Sequence, residues 1–171
     1  SGIALATALK NYPVILCDIN ENVITSAKES IDKNLQYLLD KQKITASQKT
    51  AIEQCISYTS NISHCKANLI IEAIVEKFDI KEKLFIELAA INSSETILAS
   101  NTSSLSISSI QKNIPHPQRV AGMHFFNPAH IMKLVEVVKG ELTDESTAQA
   151  LMEFCGLINK VPVLCKDAPG F

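Results

Sequence analysis

Short apolar runs rich in β-branched residues alternate along this chain with longer segments whose apolar positions recur every three or four residues. The first pattern fits strands covered on both faces and the second fits amphipathic helices, an alternation that predicts crossover units of a parallel sheet. Strands are expected at Val14–Cys17, Asn68–Ala73, Thr96–Ala99, Val120–Phe125, Leu134–Val138 and Val161–Cys165. Most of these runs are apolar throughout, as strands packed between two layers of helices must be.

Helices fill the intervals. Ser1–Lys10 is apolar almost all round, interrupted by Thr7, and reads as a helix already under way. Asn20 is a good N-cap for a stripe of Val23, Ile24, Ala27, Ile31, Leu35 and Leu38, about five turns long. Lys41–Lys43 breaks that stripe. Thr45 with Gln48 three residues on forms a capping-box pattern, opening a second helix that is expected to run to Ile56 and to complete a helical hairpin. Asp79–Ile91 and Asp144–Ile158 are further helices and Ser103–Ile110 a shorter one. The fold class is α/β: a doubly wound, mostly parallel Rossmann-type sheet with a helical hairpin insertion.

Composition narrows the partners. With 171 residues, 46% hydrophobic and 20% charged, the chain can bury a core of single-domain size, so residues 1–171 are expected to form one domain. A formal net charge of −2 and the lack of a long Lys/Arg run give no electrostatic reason to expect nucleic acid or a membrane surface. No stretch approaches the roughly 20 apolar residues that span a bilayer. The five cysteines, Cys17, Cys55, Cys65, Cys155 and Cys165, are scattered without metal-ligand spacing, which predicts free thiols in a reducing compartment, the cytoplasm. A small-molecule partner is expected, and no metal.

Ligands of such sheets bind at the carboxyl ends of the strands, so residues just past those ends carry the chemistry. Asp18 follows the first strand, where a carboxylate can accept hydrogen bonds from adenosine ribose hydroxyls and repel a 2′-phosphate, favouring NAD over NADP; it can equally cap the turn into the Asn20 helix. No G-x-G-x-x-G is present among the five glycines to decide between these readings. Ser100–Ser104 gathers small hydroxyls and an amide suited to a substrate oxygen or a nicotinamide amide, or simply to helix capping. His124 lies near the end of its strand. Glu136 sits in an otherwise apolar run, where a carboxylate needs a partner, and an imidazole is the natural one. Such a pair would fix the ring's tautomer and stabilise its positive charge, leaving the other nitrogen to act as a base; a lone histidine there can also be a satisfied structural residue. His124 and His130 as metal ligands are disfavoured by Pro128 between them and the lack of a third ligand. His64 and His116 lie in polar loops and receive no role.

Taken together, Ser1–Ala4, Val14–Asp18, Ile71–Glu76, Ala99–Leu105, Gly122–Pro128, Met132–Val137 and Lys166–Phe171 make the chain resemble the 3-hydroxyacyl-CoA dehydrogenase family along its whole length, in a style similar to bacterial 3-hydroxybutyryl-CoA dehydrogenases. The resemblance implies NAD-dependent oxidation of a short-chain (S)-3-hydroxyacyl-CoA to the 3-oxoacyl-CoA, and the reverse. It implies His124 as catalytic base, Glu136 as its orienting partner and Ser103 as a contact to the substrate's 3-oxygen. Asp18, Glu76, Lys81, Ser103 and Asn127 are implied on the cofactor, and Asn34, Lys41, Ser103 and Asn127 on the acyl-CoA. His130 and Ile131 stand where such proteins commonly carry other residues. The competing readings are a methyltransferase on a similar sheet and a non-catalytic, crystallin-like nucleotide-binding relative.

The family pattern also includes a first central strand with a glycine-rich turn before Ser1, and a helical domain after Phe171 that carries a homodimer interface. Both are expected to be missing from the chain, leaving a gap in the sheet. The 171 residues alone are therefore expected to be inactive and marginally stable, and NAD titration checks this: micromolar binding contradicts it.

Overall fold

The computed structural model describes residues 1–168 and 170; Pro169 and Phe171, in the stretch Lys166–Phe171, lie outside the described residues. The chain divides into two compact units. One comprises Ser1–Cys65 with Asn127–Ile131, the other Lys66–Phe126 with Met132–Phe171.

The first unit holds α1 (Gly2–Ala8), β1 (Val14–Cys17), α2 (Glu21–Asp40), α3 (Ala46–Gln54) and β2 (Ile56–Thr59). The α2 positions Ile24, Ala27, Ile31 and Leu35, spaced by three and four, are its buried stripe, while Val23 is exposed. The Asn20 side chain caps α2 by accepting from the Asn22 N–H at 2.9 Å. Thr45 and Gln48 form the expected reciprocal capping box of α3. Leu5, Ala8, Ile31, Leu35, Ile52 and Ile56 pack together as the core of this unit.

The second helix of the hairpin is shorter than expected. It ends at Gln54, and Ile56–Thr59 is a strand that pairs in parallel with β1, Val14 opposite Ile56 and Cys17 opposite Thr59. Ile52 and Ile56 are four apart and so satisfy a helical stripe as well. What decides the outcome is β1, whose backbone needs a partner strand, and the β-branched and aromatic Ile56, Tyr58 and Thr59 supply one.

The second unit holds β3 (Leu69–Glu72), α4 (Phe78–Ile91), β4 (Ile97–Ser100), α5 (Ile107–Gln111), β5 (Val120–Phe125), β6 (Leu134–Lys139), α6 (Glu145–Leu157) and β7 (Val161–Lys166). Its sheet runs in the order β3-β4-β5-β6-β7. All neighbours are parallel except β5 and β6, which are antiparallel. The stretch between Phe125 and Leu134 is too short for the crossover of a dozen or more residues that a parallel pair requires. Strands β1 and β2 form one ladder in the first unit and β3–β7 a separate one in the second.

Strand β5 is buried at every position but His124. In contrast, β7 leaves Val161, Val163 and Leu164 about half exposed, so the expectation of helices covering both faces fails at this end of the sheet. Helix α5 starts at Ile107 rather than Ser103. Its N-cap is Ser106, which accepts from the Ser109 N–H at 3.1 Å, and the Asp167 carboxylate reinforces that end. Asp167 accepts from the Ser106 hydroxyl at 2.8 Å and from the Ile107 and Ser108 N–H groups at 3.0 and 2.8 Å. Burial pushes this carboxyl's pKa up, and donation from Ser108, Ser106 and Ile107 outweighs it, holding the group below the ordinary carboxylate range.

Gly122 lets α5 lie against the sheet. A Cβ there would stand 2.8 Å from Val138 Cβ and 3.1 Å from Ile107, closer than packed carbons tolerate. Replacing Gly122 with Ala should therefore destabilise the fold by about 1–3 kcal/mol through overpacking, seen as a lowered urea midpoint. An unchanged midpoint would contradict this packing.

Candidate functional site

The antiparallel register of β5 and β6 places His124 opposite Glu136. Directly opposed residues of such a pair share one face at contact distance, so the isolated carboxylate of β6 meets its partner across the ladder. His124 Nδ1 lies 2.8 Å from Glu136 Oε2, with the two side chains 17% and 20% exposed. An ionised carboxylate only accepts, so Nδ1 carries the proton and donates it. Nε2 is then the nitrogen able to exchange a proton with a ligand. The Phe126 ring packs 4.8 Å from the imidazole, centroid to centroid.

A second cluster gathers at the ends of β3 and β4. Glu76 Oε1 accepts from the Thr102 hydroxyl, from the Ser103 N–H at 3.1 Å and from the Ser104 hydroxyl at 3.4 Å. Its Oε2 lies 3.2 Å from Lys81 Nζ. Partial burial pushes the Glu76 carboxyl pKa up, but donation from Thr102, Lys81 and Ser103, with the charge of Lys81, holds it below the usual glutamate range. Thr102 is buried while Ser103 and Ser104 are exposed, so Glu76 pins a loop with one hydroxyl residue turned inward and two at the surface. Ser103 is held by its backbone N–H. It belongs to this loop and not to the first turn of α5, because Thr102 and Ser103 are committed to Glu76.

Two residues that join these clusters escaped the sequence reading as individuals. Asn101 donates its N–H to the Glu72 carbonyl at 2.7 Å and accepts from the Phe125 N–H through Oδ1 at 2.8 Å. It thereby stitches the end of β3 to the end of β5, one residue from His124. Glu72, fully buried, binds Lys81. Asn101 lay inside the Ser100–Ser104 group already singled out. The signal for Glu72 was the same as for Glu136, a carboxylate inside an apolar run, here Leu69–Ile74.

The remaining candidates lie in the first unit. Asp18 is partly exposed beyond β1 and its Oδ1 accepts from the Asn20 N–H at 2.9 Å, so one oxygen serves the turn. A partly exposed carboxylate at a strand's carboxyl end suits vicinal ribose hydroxyls and opposes an added phosphate. The Asn34 amide donates to the Ser30 carbonyl within α2 at 2.7 Å. Lys41 is exposed at the end of α2, with Nζ 5.8 Å from the Tyr37 ring centre. Asn127 is exposed and precedes Pro128 through a cis peptide bond.

The Glu76 anchor has a pH signature. A depressed carboxyl pKa means the loop is held while pH stays above the ordinary glutamate value and is released as pH falls through the lower folded-state value. Nuclear magnetic resonance should show the Ser103 amide proton titrating with a midpoint below the usual glutamate range; a midpoint at or above that range contradicts the anchor.

The family model described as 3-hydroxyacyl-CoA dehydrogenase, NAD binding domain, matches residues 1–168. The mitochondrial hydroxyacyl-coenzyme A dehydrogenase of Rattus norvegicus is 38% identical over a 179-residue alignment that covers 100% of this chain and 57% of the rat protein. The chain thus spans a little over half the length of that relative. Among solved structures, 3-hydroxybutyryl-CoA dehydrogenase from Escherichia coli K12 matches with a TM-score of 0.97 and 38% identity, covering 99% of this chain and 36% of that one. The (S)-3-hydroxybutyryl-CoA dehydrogenase of Ralstonia eutropha matches with a TM-score of 0.96 and 32% identity, covering 99% and 60%. With its sheet, its clusters and these likenesses in agreement, the chain belongs to the NAD-binding domain family of the 3-hydroxyacyl-CoA dehydrogenases.

Proposed function

We propose that the protein to which this chain belongs oxidises a short-chain (S)-3-hydroxyacyl-CoA, such as 3-hydroxybutyryl-CoA, to the 3-oxoacyl-CoA with NAD, and runs the reverse reduction. The observation that carries this reading is the 2.8 Å contact of His124 with Glu136 in a chain of an NAD-binding family. Bound NAD supplies the hydride acceptor. An alcohol carbon gives up hydride readily only as its oxygen becomes an alkoxide, so a base must take the hydroxyl proton during the transfer.

His124 Nε2 takes that proton, and Glu136 holds the ring in the needed tautomer while stabilising the imidazolium that forms. In the reverse direction the same nitrogen returns the proton to the forming alcohol. Ser103 supplies a hydroxyl to the substrate's 3-oxygen, and Asn127 an amide to substrate or nicotinamide. Asp18 accepts from the adenosine ribose. Glu76 lines the cofactor, with the buried Lys81 serving it chiefly by fixing Glu76. Asn34 and Lys41 are assigned to the CoA moiety. The short acyl chain is supported by two solved relatives that are named for 3-hydroxybutyryl-CoA. The proposed assembly is a homodimer and the proposed location the cytoplasm.

NADH oxidation with acetoacetyl-CoA, followed in the full-length protein, tests the roles directly. Replacing His124 with Ala should lower kcat by roughly 10²–10⁴-fold, the range for loss of a positioned acid–base group. Replacing Glu136 with Gln keeps the shape, permits the wrong tautomer, and should lower kcat within the same range. Retention of near-normal turnover by the His124→Ala variant would sink the reading in favour of chemistry that needs no base.

A further inference from the structure

Glu72 has no part in the reaction just described, yet its side chain is 0% exposed at the end of β3. An ionised carboxylate in such a place is costly unless its lone pairs find donors. They do. Oε1 accepts from the Ile74 N–H at 2.6 Å and from Lys81 Nζ at 2.7 Å, and Oε2 accepts from the Ser100 hydroxyl at 2.8 Å. The Glu72 carbonyl also takes the Asn101 N–H at 2.7 Å. Glu72 and Ser100 are the last register partners of β3 and β4, so one residue clamps the carboxyl ends of both strands.

The clamp continues outward through Lys81, whose side chain is 1% exposed. The three hydrogens of its ammonium have three acceptors: Glu72 at 2.7 Å, Glu76 at 3.2 Å and the Ile74 carbonyl at 3.4 Å. Glu76 is the member of this series that reaches solvent, its side chain 39% exposed, and it holds Thr102 and Ser103. Charge therefore alternates from the core to the loop: minus at 72, plus at 81, minus at 76.

We infer that Glu72 is a positioning residue for the NAD-linked reaction, compensating Lys81 from the buried side so that Glu76 stays on the Ser103 loop. The argument is one of competition. With a neutral amide at position 72, Glu76 becomes the sole ionic partner of a buried ammonium. The looser Lys81–Glu76 contact then tightens, and Glu76 Oε1 is drawn from Thr102 and Ser103. This inference rests on the reading of Glu76 and Ser103 as ligand contacts.

Steady-state kinetics of the full-length protein with NADH and acetoacetyl-CoA test it through Glu72→Gln, Glu76→Gln and the double variant. Glu72→Gln should raise KM for NADH by roughly fivefold to tenfold, about the net worth of one ordinary hydrogen bond. The double variant should be no worse than Glu76→Gln alone, because residue 72 acts through residue 76. An unaltered KM, effects that multiply in the double variant, or a lowered melting temperature with normal kinetics overturns the inference. Should Glu72→Gln fail to fold, Ser100→Ala takes its place; it removes one donor of Glu72 and no charge, together with the weaker 3.3 Å acceptor of the Thr102 N–H. It should raise KM about twofold to threefold, again without adding to Glu76→Gln, and an unaltered KM overturns the inference. A His124→Ala variant run alongside separates the two failures. If it keeps its turnover, the reaction assignment falls and the inference with it; if it is inactive while Glu72→Gln is normal, the role of Glu72 alone falls.

Discussion

Charge taken out of water must be compensated on the spot, and this constraint organises the larger unit of the protein. Its sheet carries two carboxylates inside apolar runs, Glu72 on β3 and Glu136 on β6. Each is resolved by pairing with a base from elsewhere in the sequence, Lys81 from α4 and His124 from β5. The two solutions differ in depth. The Glu72–Lys81 pair is sealed and acts as a fixed point, whereas the His124–Glu136 pair keeps about a fifth of its side-chain surface open.

Between these pairs runs the segment that follows β4. It is pinned at one point by Asn101 to the ends of β3 and β5 and at another by Glu76, so the Ser103 backbone is determined from both sides. A loop with this many intrachain partners presents its hydroxyls from a set position, which lowers the ordering cost of binding. The smaller unit relies instead on its apolar core; of its candidate residues, Asp18 and Lys41 stand at element ends and Asn34 lies within α2.

Much of this was legible in the sequence because the physics is local. The Asn20 cap, the Thr45–Gln48 box and four of the six expected α2 stripe positions, Ile24, Ala27, Ile31 and Leu35, depend on neighbours within a turn and emerged as expected, whereas Val23 is exposed and Leu38 half-buried. The need of Glu136 for a partner was legible for the same reason, although the partner was settled by an antiparallel register that periodicity cannot reveal. Long-range decisions were not legible. Ile56–Thr59 pairs in parallel with β1, a contact with residues some forty positions away. The start of α5 moved from Ser103 to Ile107, with Ser106 as its N-cap, since Glu76 and Asp167, both remote in sequence, claim the polar groups on either side.

The Asp167 contact also bears on the order in which the chain can assemble. Ser106 lies 61 residues before the carboxylate that reinforces its helix end, and α5 is a single short turn with little intrinsic tendency to persist. On a nascent polypeptide emerging from the ribosome, that turn lacks the Asp167 contact until β7 and the residue after it have been synthesised. Contacts of such wide separation close late, because the entropy of the intervening loop must be overcome first.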